Sequence, residues 1–154
     1  MTPGVTPIAR PARRIGVPLR LLALVTAALL AVDAFVHIDD NDLYQAVSTS
    51  SLSQATLFLI EAIVAIVVAV VLVIWPHPVV WLVAALVAGS AAGAVFLYTY
   101  VDVGTLGPLP NMYEPTWALP GKRLSAGAEV AATVLAVVGF VVAVVGRRRP
   151  APRH

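Results

Sequence analysis

The sequence predicts an all-α fold, a transmembrane four-helix bundle with both termini cytoplasmic. Three observations predict it. The 154 residues are 60% hydrophobic and 12% charged, with a mean hydropathy of +0.91, and a soluble domain of this size cannot hide so much apolar surface in one core. Four segments reach the roughly 20 apolar residues that a helix needs to cross hydrocarbon. Positive charge gathers at the two ends of the chain, beside the first and last of those segments.

Residues 1–17 are rich in Pro and Arg and read as a disordered basic tail whose arginines touch anionic lipid. The first span is expected at 18–38. The second, at 56–75, is separated from the third, at 79–103, only by Pro76, His77 and Pro78. Two prolines cannot easily continue a helix, so this is a tight hairpin turn. The fourth span is expected at 124–146, with 147–154 as a second basic tail. The two longer loops then share the opposite side of the membrane. Arg10, Arg13, Arg14 and Arg20 precede the first span, and Arg147, Arg148, Arg149 and Arg153 follow the fourth; only Lys122 and Arg123 lie on the other side. That asymmetry puts both termini in the cytoplasm of a bacterial plasma membrane. Trp75, Trp81 and Trp117 fall at expected interfaces, where indoles prefer to sit. A cleaved signal peptide is the competing reading of the first span, since "RPARR", an apolar run and "VDA" before Phe35 imitate its three regions.

Several function classes drop out. A pI near 9.4 does not indicate nucleic acid here, because the basic residues flank spans. The chain has no cysteine, which excludes thiolate metal sites and dithiol chemistry. His37 and His77 lie on opposite sides and cannot share a haem iron. No Gly-rich phosphate loop or activated nucleophile is present, so no enzyme is expected.

The chemistry that remains is carboxylate chemistry inside the membrane. Asp33 lies near the outer end of the first span, Glu61 five residues into the second and Glu129 five into the fourth. Asp102 is nearer the surface on the third. An ionisable group at such depth costs up to about 2.5–3.5 kcal/mol and should face the bundle interior. Ala65 and Ala69 share a face with Glu61, and Ala132, Thr133 and Ala136 share one with Glu129; small residues let helices approach closely. Ala85, Gly89 and Gly93 on the third span, and Ala23, Ala27 and Ala31 on the first, extend the packing surfaces. Asp33 and His37 are i, i+4 and share one helix face. Asp33, His37, Glu61 and Glu129 could converge in an outward-facing pocket, with Asp102 and the hydroxyls of Tyr44, Tyr98 and Tyr100 in support. Oxygen and imidazole donors suit a hard or borderline divalent cation, and buried acids also suit proton handling. The competing reading is structural: Lys122 or Arg123 could pair with Glu129 or Glu61.

Two further patterns stand open at this level. Asp33 to Glu61 and Asp102 to Glu129 are 28 and 27 residues apart, each with "LS" shortly before the Glu, which reads either as a duplicated helical hairpin or as two ordinary hairpins of similar length. The Pro-rich second outer loop, with Tyr113 and Trp117, reads as a lid, as a docking surface, or as a plain interfacial loop.

With His37, Tyr44, "LFLIEA" at 57–62, "LGPLP" at 106–110 and Glu129 assembled, the chain resembles small four-helix integral membrane proteins of high-GC actinobacteria that carry no assigned function. The likeness implies a membrane fold and no activity. A weaker likeness is to small multidrug transporters, whose intramembrane Glu lies in the first helix rather than in the second and fourth. The functional expectation is a non-enzymatic accessory or scaffold membrane protein, in contact with the bilayer and with a membrane-protein partner or a second copy of itself. The alternative is a divalent-cation or proton site in a small transporter-like protein.

Overall fold

The computed structural model describes residues 16–119 and 121–148, and the expectations for the two terminal tails fall almost wholly outside them. Four helices follow in chain order: α1 (Val17–Asp39), α2 (Gln54–Ile74), α3 (Pro78–Tyr100) and α4 (Lys122–Arg148), with a short 3-10 turn at Asn41–Tyr44 between the first two. All four are long and apolar enough to cross a membrane. Their faces away from the bundle carry exposed Leu, Ile, Val and Phe, such as Phe35, Ile63, Val67, Leu86 and Val134. That is the surface a multi-pass membrane protein offers to lipid.

Each boundary has a local cause. The Ser53 side chain caps α2 by accepting from Thr56 N, as an N-cap hydroxyl should. The helix stops at Pro76, and the His77 imidazole then caps α3 by accepting from Val79 N, with Pro78 in its first turn. Here Pro fits, since its missing N–H would have no partner in any case. The expected third span overran its end by three residues: Val101 is extended, and Asp102 turns the chain by accepting from Gly104 N at 3.1 Å. Gly121 precedes α4 with φ +73°, a conformation that favours glycine.

Helix α1 packs against α2 and α4, and α3 packs against α4, whereas α2 and α3 meet along a much looser seam. The core is mostly alanine: Ala34, Ala62, Ala65, Ala84, Ala132 and Ala136 are fully buried, around Leu30, Leu72 and Trp81. Small side chains give close helix approach, the main source of packing energy where lipid is as apolar as the core. Trp81 corrects the expectation of an interfacial indole. It lies one turn before Ala84 and two before Ala88 on the buried stripe of α3, is itself fully buried, and lies flat against Gly139, where a Cβ would overlap its ring. The small residues of α3 differ in their surroundings. Gly89 lies against Thr133, Ala85 packs on the core, and Gly93 faces open space. On α1 the buried row runs through Ala23, Thr26, Leu30 and Ala34, leaving Ala31 exposed.

Gly139→Ala is expected to lower the melting temperature in detergent, with an overpacking cost of about 1–3 kcal/mol. Gly93→Ala should be neutral or slightly stabilising, by up to about 1 kcal/mol, as a glycine removed from an open helix position. Equal effects of the two would contradict the Trp81–Gly139 contact.

Candidate buried carboxylate site

Three helices bring ionisable groups to one point. On α1, Asp33 and His37 stand one turn apart on the inner face. The His37 Nδ1–H donates to the Asp33 carbonyl at 3.0 Å, and Nδ1 lies 3.2 Å from Asp33 Oδ1 and 3.7 Å from Glu61 Oε2 on α2. Phe58, one turn before Glu61, holds the imidazole edge-on with ring centres 4.7 Å apart. On α4, Ser125 and Glu129 are also i, i+4. The Ser125 hydroxyl is 2.6 Å from Asp33 Oδ1 and 2.9 Å from Glu129 Oε1. Asp33 and Glu129 are each 1% exposed. Both acids of α2 and α4 sit seven residues inside their helices, about 10 Å along the axis.

Charge and hydrogen-bond capacity do not balance. Asp33 and Glu61 face one imidazole directly, and a third carboxyl, Glu129, joins Asp33 through the Ser125 hydroxyl. A hydroxyl has one proton to donate, yet Ser125 stands between two carboxyl groups. Asp33 Oδ2, both oxygens of Glu61 and Glu129 Oε2 are buried without a hydrogen-bond partner. The structural expectation was that Lys122 or Arg123 would neutralise Glu61 or Glu129. Instead, Lys122 Nζ donates to the Glu114 carbonyl at 2.7 Å, lies 3.6 Å from Glu114 Oε2 and covers the Trp117 ring, while Arg123 is exposed. Among the described residues, His37 is the sole cationic partner of the cluster. Buried charge without compensation is costly, so the cluster as built calls for protons or a bound cation. Donor atoms of Asp33, His37 and Glu61 lie within 4.8 Å of one another. Ligands on one cation at about 2.0–2.6 Å fall within that spacing. Glu129 joins them through Ser125.

A cavity of about 210 Å³ leads from this cluster toward the loops. It runs along the loose α2–α3 seam, with His37, Glu61 and Ser125 at its inner end and Tyr44, Met112, Glu114 and Lys122 nearer the mouth. The second long loop reaches over it: Glu114 N donates to the Tyr98 carbonyl at 2.9 Å, and the Tyr44 hydroxyl donates to Glu114 Oε2 at 3.0 Å. Burial and the neighbouring Glu114 charge push the Tyr44 phenol well above its ordinary value, so it keeps the proton that this bond needs. At the end of α1, burial and the charge of Asp39 raise the Asp40 carboxyl, with His37 pulling it the other way.

Of the expected site residues, Asp33, His37, Glu61 and Glu129 come together, and Tyr44 and Tyr98 line the cavity above them. Asp102 does not join. It lies beyond the end of α3, exposed, and accepts from Asn111 Nδ2. Tyr100 is also exposed, accepting from Trp117 Nε1. The acids of the two hairpins are therefore not equivalent: Asp33 is buried inside α1 and Asp102 sits in a loop. Their "LS" pairs differ too, with Ser53 capping α2 and Ser125 one turn inside α4. Ser125 is the site residue that sequence reasoning missed, although its place one turn before Glu129 puts it on the same face.

Compared with models of protein families, with curated proteins and with solved structures, the chain matches none.

Ser125→Ala is expected to destabilise the bundle by about 1–3 kcal/mol, because the one hydroxyl standing between the buried Asp33 and Glu129 carboxyls is lost. Asp102→Asn, on an exposed loop, should stay within about 0.5 kcal/mol. Thermal melts of both variants in one detergent check the contrast.

Proposed function

We propose that the chain is a non-enzymatic integral protein of a bacterial plasma membrane, both termini cytoplasmic, that binds a divalent cation in its outward half. The ligands are Asp33, His37 and Glu61, with Glu129 completing the set and Ser125 orienting Asp33; to take the ion, His37 Nδ1 sheds its proton and with it the bond to the Asp33 carbonyl. The observation that carries this reading is the convergence of Asp33 and Glu61 on one imidazole, with Glu129 joined to Asp33 through Ser125 and no lysine or arginine among them. Three oxygen ligands and one nitrogen suit a first-row ion such as Mn²⁺ or Zn²⁺. An ion of charge +2 offsets most of the negative charge that the apolar surroundings penalise. The clustering of arginine near the chain ends supports the orientation, and the likeness to small actinobacterial membrane proteins supports the source.

This reading, the alternative at the level of sequence, stands ahead of an accessory or scaffold role because it has a residue-level observation behind it. A scaffold role is what a failed binding experiment would leave.

The experiment is a thermal melt of the purified protein in detergent with Mn²⁺, Zn²⁺, Mg²⁺ and Ca²⁺. A ligand that binds only the folded state stabilises it by about 2.7 kcal/mol at a hundred times its dissociation constant. Mn²⁺ or Zn²⁺ should raise the melting temperature of the wild type and leave that of Asp33→Asn unmoved. An equal rise in both proteins, or none in either, would rule out the site.

A further inference from the structure

The cavity above the cluster has a chemistry of its own. Its accessible wall is mainly apolar. Along α3 it is formed by Ala91, Ala94, Val95 and Tyr98, one helix face in which two alanines make the room; along α2 it is formed by Leu57 and Phe58. An apolar cavity of about 150 Å³ accommodates benzene, so about 210 Å³ holds one ring and a short polar arm. At the inner end stands Glu61, with both carboxyl oxygens shielded and unpartnered. Behind it Asp33, 1% exposed, has its own unpartnered oxygen. Lys122 cannot serve them, since it is held by Glu114 at the mouth. Apolar walls, aromatic rings and, at the bottom, a carboxylate in a cluster whose acids outnumber its one imidazole are the features that select an organic cation.

We infer that this cavity binds a small hydrophobic ammonium ion, ring or branched alkyl group between Phe58 and Tyr98 and ammonium on Glu61. A neutral ligand of the same shape would fill the cavity but leave Glu61 without a partner. A carboxylate of that shape would be repelled. The inference shares Glu61 with the cation site but does not need a metal ion to bind there.

The test uses the full chain in detergent and three probes of one shape: benzylamine, benzyl alcohol and benzoate. Binding is followed by saturation-transfer NMR and by thermal melt. Benzylamine should bind at least about tenfold more tightly than benzyl alcohol, the size expected of a hydrogen bond to a charged group, and benzoate should not bind. Ala94→Leu fills the cavity and should abolish benzylamine binding while keeping the Mn²⁺ response. If Ala94→Leu does not fold, Ala91→Val takes its place. Glu61→Gln should erase the preference for amine over alcohol. Equal binding of amine and alcohol would mean an apolar site for a neutral molecule or lipid chain and would overturn the inference, as would benzylamine binding that survives cavity filling, or no benzylamine binding. Loss of the Mn²⁺ response alone, with benzylamine binding intact, would sink the metal reading and leave this one standing.

Discussion

Three carboxyl groups and one imidazole share a volume a few ångströms across, some 10 Å inside an apolar bundle, and the rest of the structure is arranged around that concentration of charge. Water satisfies such groups at a surface. Here the helices must do it, and they do it incompletely. His37 addresses Asp33 and Glu61, Ser125 stands between Asp33 and Glu129, and four carboxyl oxygens are still without a partner. A purely structural cluster would be expected to satisfy its members, because half-satisfied networks are worse than apolar packing. The deficit is one of positive charge.

The packing explains why the deficit is tolerated and where it is accessible. Alanine faces draw α2 and α4 each onto α1 around the acids, and Trp81 against Gly139 fixes α3 to α4 near the opposite end. The same bundle is loose between α2 and α3, and there the cavity reaches Glu61. The second long loop is tied over that opening by Tyr44, Tyr98, Glu114 and Lys122. Three tight seams, α1–α2, α1–α4 and α3–α4, with one relaxed seam give the acids rigid positions and an approach route at once.

Much of this was legible in the sequence, and the failures have physical causes. Long apolar runs and the Pro-His-Pro turn reveal the four helices to within a few residues, since few structures can cross hydrocarbon. The i, i+4 spacing of Asp33 and His37, and the alanines on the Glu61 and Glu129 faces, point those groups inward. Asp102 misled because hydropathy does not see an extended Val101 or an Asx turn; the helix ended before the acid did. Trp81 misled because indole preference for the interface is a bulk tendency, which a glycine on the facing helix overrides. Lys122 lies between Glu114 and Glu129 in the chain, and the loop that carries Glu114 decides between them. Ser125 shows in the sequence only as part of a repeated "LS" pair, because serine is common at helix starts for capping alone.

The central claim is that the cluster holds a cation through His37 and its carboxylates. It is tested most directly by electron spin echo spectroscopy of the protein loaded with one equivalent of Mn²⁺. The account predicts modulation from a single directly coordinated imidazole nitrogen, lost in His37→Gln. Bound Mn²⁺ without nitrogen modulation, or modulation that persists in His37→Gln, would contradict it.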